Sequence, residues 1–201
     1  MPNNALTYPN PSDPTKRTFN ITIRAGVLNE TVSELVTRKE RTCFDMTAAP
    51  LDLSIDAGAM DALVYVLLHE ATHVVDSSLG LTTDPAQGFT WGIWEGRVTS
   101  VPAYRGSLLQ ATCWREGGKK LGVDEAISLH EELAETPFAS LYGSNNWHDD
   151  LAELFAWSQL AERLHQPYRI EVRDHDKLIF AYEPMRNARV RSRLHLLKRF
   201  Y

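Results

Sequence analysis

The pentapeptide His69-Glu70-Ala71-Thr72-His73 follows directly on the apolar run Ala62-Leu63-Val64-Tyr65-Val66-Leu67-Leu68. That join constrains the fold more than any other feature, because it asks for a buried helix presenting two imidazoles four residues apart. On a helix such residues share one face, with Cβ atoms about 5–6 Å apart. Two imidazoles at that separation reach a single Zn²⁺ at roughly 2.0–2.1 Å. Glu70 follows the first histidine. From there it can take a proton from water held by the metal and later hand it to a leaving group.

Chance is a poor source for this pattern: shuffling a chain with 7 His among 201 residues yields an H-E-x-x-H about 0.02 times. The bland alternative is a pair of core histidines hydrogen-bonded to neighbours. The apolar run predicts a helix over roughly 57–78, with Asp56 as N-cap and Gly80 as stop. A near-copy, His130-Glu131-Glu132-Leu133-Ala134, lacks the second histidine, cannot chelate, and reads as a solvated helix face.

At 201 residues, with 43% hydrophobic and 23% charged side chains, the chain suits one domain with a sizeable core. A net charge of −5 gives no global case for nucleic acid or an anionic membrane. The longest strongly apolar run is far short of the roughly 20 residues that span a bilayer, so no transmembrane segment is expected. Residues 1–20 are polar and proline-rich and do not read as a signal peptide. The compartment stays open: cytoplasmic if Met1 is the true start, exported if an upstream segment is missing. Cys43 and Cys113 could pair or remain two buried thiols.

Along the chain, residues 1–17 read as an extended arm, and Phe19, Ile21 and Ile23 alternate as a strand does. Asn29 could cap a short helix to about Arg38. Further helices are expected over 103–120, 124–135 and 147–165, the last stopped by Pro167. The segments 168–173 and 178–182 flank Asp174-His175-Asp176 as a hairpin would. A basic tail from Pro184 carries Arg186, Arg189, Arg191, Arg193, Lys198 and Arg199, read as a solvated helix face packed on the domain. The expectation is an α+β fold, mostly helical with a small sheet, divided into an arm (1–17), a central domain (18–183) and the tail (184–201).

A catalytic zinc needs a third protein ligand and an open position. The metzincin pattern places a histidine ten residues after the first and a glycine seven after it. Here those positions are Leu79 and Asp76, which excludes that class. A second place to look is the acidic helix Trp147-His148-Asp149-Asp150-Leu151-Ala152-Glu153-Leu154-Phe155-Ala156. Asp149 and Glu153 lie four apart on one face, so one can bind zinc while the other anchors an imidazole from behind. The helix dipole alone would account for Asp149 and Asp150. It accounts poorly for Glu153, which sits among apolar residues.

These segments together resemble the gluzincin metallopeptidases, in the branch of anthrax lethal factor and the Mlc titration factor. His69-Glu70-Ala71-Thr72-His73-Val74-Val75-Asp76 is similar to that branch's H-E-x-x-H-x-x-D, and Ala152-Glu153-Leu154-Phe155-Ala156 to its A-E-F-F-A. The resemblance covers about thirteen residues. It implies a zincin-like domain, one zinc per chain, Glu153 as third ligand and Asp76 as a supporting acid. A rival register, Asp149-Asp150-Leu151-Ala152-Glu153, resembles the E-x-x-A-[DE] helix of other gluzincins and makes Asp149 the ligand. Glutamate is the better-sized ligand from a helix, so Glu153 is favoured and Asp149 is the alternative.

A Tyr, His or Arg donor near the metal would stabilise charge developing on a carbonyl oxygen. Tyr142 and His148 lie nearest in sequence, and Trp91 and Trp94 could line a cleft, although each also has a plain packing role. The expected function is a zinc metallopeptidase acting on a peptide or protein substrate, with Glu70 as general base. The alternative is a zincin-like binding or scaffold domain without turnover, which the presence of Glu70 disfavours. Nucleic-acid binding through the tail gains no support from the net charge.

Overall fold

The computed structural model describes residues 4–12 and 18–200. Strands β1 (Ala5–Pro9) and β2 (Phe19–Ile23) form an antiparallel pair with Thr7 opposite Ile21. The expected arm is therefore half of a hairpin where it is described; residues 1–3 and 13–17 lie outside the described residues. The strand expected around Ile21 needs partners for its backbone N–H and C=O groups, and residues 5–9 supply them.

Helix α1 (Val32–Arg41) begins at Thr31 rather than Asn29, through a capping box in which Thr31 and Glu34 exchange side-chain and backbone hydrogen bonds. It buries Val32, Leu35 and Val36. A two-residue strand, β3 (Phe44–Asp45), follows, and then β4 (Leu51–Asp56), which turns Leu53 and Ile55 inward. The motif helix α2 (Ala62–Leu79) starts five residues later than expected. Asp56 accepts from Gly58 N–H in a local turn instead of capping the helix, and Gly58 has φ 77°. The start is set from outside: Ala62 N–H bonds Glu30 C=O at 2.9 Å while Val32 N–H bonds Met60 C=O at 2.8 Å. The residue just before each N-cap thus satisfies one orphan donor in the other helix's first turn. Gly80 ends α2 in the left-handed region, as expected, at φ 64°.

Beyond α2, β5 (Trp94–Gly96) and β6 (Thr99–Ser100) pair in a small hairpin. The helix expected over 103–120 shrinks to α3 (Ser107–Ala111), whose Leu108 and Leu109 N–H groups are capped by the Glu132 carboxylate. The chain then folds back, with Gly117 at φ 73° and Thr112 bridged to Lys119. Cys113 is bonded to Cys43, which settles the open pairing. Strand β7 (Leu121–Gly122) runs parallel to β3, and α4 (Ala126–Ala134) follows.

Helix α4 corrects one expectation. His130 is fully buried, with its ring nitrogens 2.8 Å from Glu40 Oε1 and 2.7 Å from Ala126 C=O, so this face is core. Helix α5 (Trp147–Ser158) continues into an i→i+5 turn over Gln159–Arg163 and stops before Pro167. The expected hairpin is present as β8 (Arg169–Asp174) and β9 (Lys177–Tyr182). Strand β8 is central in the three-stranded antiparallel sheet β4-β8-β9.

The tail forms α6 (Ala188–Arg191) and a 3₁₀ stretch, Leu194–Phe200, which bury Val190 and Leu197. Its cations are largely paired: Arg186 with Glu183, Arg189 with Glu135, Arg191 with Glu162. Arg193 departs furthest from a solvated face, being buried against Asp150. The fold is α+β, with about 44% helix and 21% strand in small sheets. No helix among the described residues is long and apolar enough to cross a membrane.

Candidate metal centre

The site forms where α2 packs against α5. Tyr65, His69 and His73 make a row of i, i+4, i+8 positions on α2, and Asn146 fixes the start of α5 opposite them. The Asn146 side chain accepts from His148 N–H and Asp149 N–H, both at 3.0 Å, and donates to Asp149 Oδ2 at 2.6 Å. An ordinary N-cap therefore also aims the Asp149 carboxylate.

Three donor atoms converge there. His69 Nε2 and His73 Nε2 are 3.1 Å apart, and Asp149 Oδ1 lies 3.6 and 3.5 Å from them. A tetrahedral zinc with ligands at about 2.0–2.1 Å holds those ligands about 3.3–3.4 Å from one another, so this triangle is the right size for one ion. Two imidazoles and a carboxylate also suit zinc chemically. Burial of Asp149 would raise its pKa, but hydrogen bonds and charge from His69 and His73 hold it well below the usual carboxylate range.

Glu153 does not join this triangle. Its Oε1 lies 3.0 Å from His69 Nδ1, on the other side of the ring from Nε2 and off the line of a hydrogen bond. The carboxylate is otherwise fully engaged: Oε1 accepts from the Tyr65 hydroxyl, Oε2 from Ser140 Oγ at 2.7 Å and from Trp157 Nε1 at 3.0 Å. Lys39 Nζ, 3.5 Å from Oε1, adds a positive charge. Burial opposes ionisation here too, yet Lys39, His69 and Tyr65 together keep Glu153 well below its ordinary value. Asp149 stands one helical turn closer to the start of α5, and that turn is the one that meets the paired histidines.

Glu70 lines the same cavity and is 7% exposed, with Oε2 accepting from Thr7 Oγ1 at 2.5 Å. Tyr142 stands beside His69, its ring 5.9 Å away and the Lys39 ammonium 3.4 Å from its centroid. Burial, and then the carboxylates of Asp149, Glu153 and Glu70, push the Tyr142 hydroxyl far up, so it remains a proton donor. Asp76 and His148 are brought together, but with each other: His148 Nδ1 is 2.7 Å from Asp76 Oδ2, and Thr82 donates to both Asp76 oxygens. The Trp147 indole occupies His148 Nε2 at 3.0 Å. That pair braces the end of α2 against the start of α5 and leaves His148 no free ring nitrogen.

No protein-family model, curated protein or solved structure matches the chain.

The cavity measures about 670 Å³. Trp91 and Trp94 do not line it: Trp91 is 70% exposed, and Trp94 is buried with its indole N–H on Asp150 Oδ2 at 2.8 Å. Trp114 supplies the aromatic wall instead, edge-on to Tyr142. Several residues at the site were not singled out from sequence. Tyr65 had a legible signal, since it extends the histidine row by one turn. Lys39, Thr7 and Ser140 come from distant elements and carried none.

Proposed function

We propose that this protein is a zinc metallopeptidase in which His69, His73 and Asp149 hold one zinc ion and Glu70 is the general base. The carrying observation is the triangle of donor atoms, sized for a tetrahedral ion, with Glu70 opening on the same cavity. When bound, zinc would supply water activated near neutral pH and polarise a carbonyl. Glu70 accepts the proton from the attacking water and passes it to the departing amine. Tyr142, kept protonated, donates to the carbonyl oxygen as negative charge develops there. Lys39, Ser140, Tyr65 and Trp157 hold Glu153 in place, and its carboxylate sets a negative charge 3.0 Å behind the His69 ring.

This assignment follows the rival register of the gluzincin resemblance, Asp149-Asp150-Leu151-Ala152-Glu153, rather than the favoured one. A cavity of about 670 Å³ has room for several residues of an extended peptide. Zinc content of protein purified without chelator, followed by digestion of a mixed peptide library, tests the proposal. Wild type should carry zinc and cut, and Glu70→Gln should keep the zinc and lose cutting. A wild type that holds zinc but cleaves nothing would instead make this a binding domain.

A further inference from the structure

The first strand crosses the site. Asn4, Ala5, Leu6, Thr7 and Pro9 share the cavity wall with His69, Glu70 and His73. A general base has to lie within about 2.6–3.2 Å of the oxygen whose proton it takes. At Glu70 that place is held by Thr7 Oγ1, 2.5 Å from Oε2. The hydroxyl donates to the carboxylate much as an attacking water would, and with the strand in place Glu70 is only 7% exposed.

The strand is also lightly held. Its large side chains stay largely in solvent, with Leu6 51% and Tyr8 42% exposed, while Ala5 and Thr7 are half-buried and Thr7 reaches Glu70 on α2. Inward positions filled by a methyl group and a hydroxyl bury little apolar area, which is the usual mark of a segment that opens at low cost. Its backbone pairs on one edge with β2, and Asn4 adds a 3.3 Å contact from Arg38 and a backbone bond from Arg24. Of these contacts, Thr7 on Glu70 is the one that reaches the proposed general base.

We propose that β1 is an autoinhibitory latch: in this closed form Thr7 occupies the proton-accepting side of Glu70, and the strand lifts from α2 before a peptide is cut. The proposal rests on the peptidase reading for its consequence, though not for the strand's motion. Lifting β1 frees the carboxylate and opens the cleft along its length. No covalent bond is made or broken in the step.

The test compares full-length, zinc-loaded wild type with Thr7→Val and Thr7→Ser. Two quantities are read: amide hydrogen exchange over residues 4–12, and turnover of a quenched fluorescent peptide library. Hydrogen bonds to charged groups are strong enough that Thr7→Val should raise both exchange and turnover by about tenfold or more, with Thr7→Ser close to wild type. Unchanged exchange in Thr7→Val overturns the latch. So does faster exchange with a lower kcat at constant KM that Thr7→Ser restores, because Thr7 would then be positioning Glu70. Faster exchange with no cleavage by any variant upholds the strand's release and removes the peptidase reading instead.

Discussion

The Arg193 guanidinium grips both carboxylate oxygens of Asp150, at 2.8 and 2.7 Å, inside the core and one residue from the proposed zinc ligand Asp149. Trp94 Nε1 donates to the same carboxylate at 2.8 Å, and Arg193 also reaches Pro137 C=O at 3.0 Å. The tail thereby fastens the outer face of α5 while Asn146 aims its inner face.

Cutting this pair on one side leaves a buried charge without its partner, which costs about 3–5 kcal/mol. Arg193→Leu should therefore lower stability by about that much in urea titration. Zinc affinity should fall as well, since the start of α5 is no longer held from behind. A loss under about 1 kcal/mol would mean that Asp150 finds water or another donor.

The division of labour on α5 is open to direct measurement. Asp149→Ala should abolish most zinc affinity, because it removes one of the three proposed protein ligands. Glu153→Gln should weaken binding by about 10–100-fold, the range for a group that orients a ligand. The reverse order in zinc titrations would restore Glu153 as the ligand.

Cys43 and Cys113 are 70 residues apart, so their bond closes a long loop of the unfolded chain. Loop-closure entropy puts its contribution at about 4 kcal/mol. Replacing both cysteines by serine should lower the melting temperature markedly. Trp114 follows Cys113 and lines the cavity, so a zinc-loaded reduced protein should also show altered Trp emission. Identical melting curves with and without reductant would discount the bond's contribution.

Without metal, stability should depend on pH in two opposite ways. Burial tends to discharge His69, but Asp149 and Glu153 outweigh it and push its pKa from 6.5 up to about 9. A raised histidine stabilises fully below its unfolded value, and that stabilisation fades as pH climbs through about 9. Asp149 and Glu153 are depressed, so their stabilisation is present above their unfolded values of 3.8 and 4.5 and is lost as pH falls below them. Chelated protein should melt highest between about pH 4.5 and 6.5 and lose stability on either side. Added zinc should stabilise increasingly from pH 6.5 to 9, since metal binding requires the neutral imidazole. Scanning calorimetry with chelator and with zinc separates the two, and a flat chelated profile from pH 6.5 to 9 would dismiss the His69 contribution.

Much of this molecule could be read before any coordinates. The helix under His69 and His73, its stop at Gly80, α5 up to Pro167 and the β8–β9 hairpin all follow from local periodicity and end signals, which act over a few residues. The juxtaposition of Asp149 and Glu153 on one helix face was legible for the same reason. Which of them meets the histidines was not, because it depends on how far α2 slides along α5. That docking is set by contacts between the two helices as remote in sequence as Tyr65 on Glu153 and Asp76 on His148. The same holds for His130, whose surroundings come from Glu40 on another helix, and for Thr7, which reaches Glu70 across 63 residues. Periodicity tells which face of an element is apolar. Only the packed chain decides which distant group neutralises a buried charge, because that pairing is settled by the free energy of leaving it unpaired.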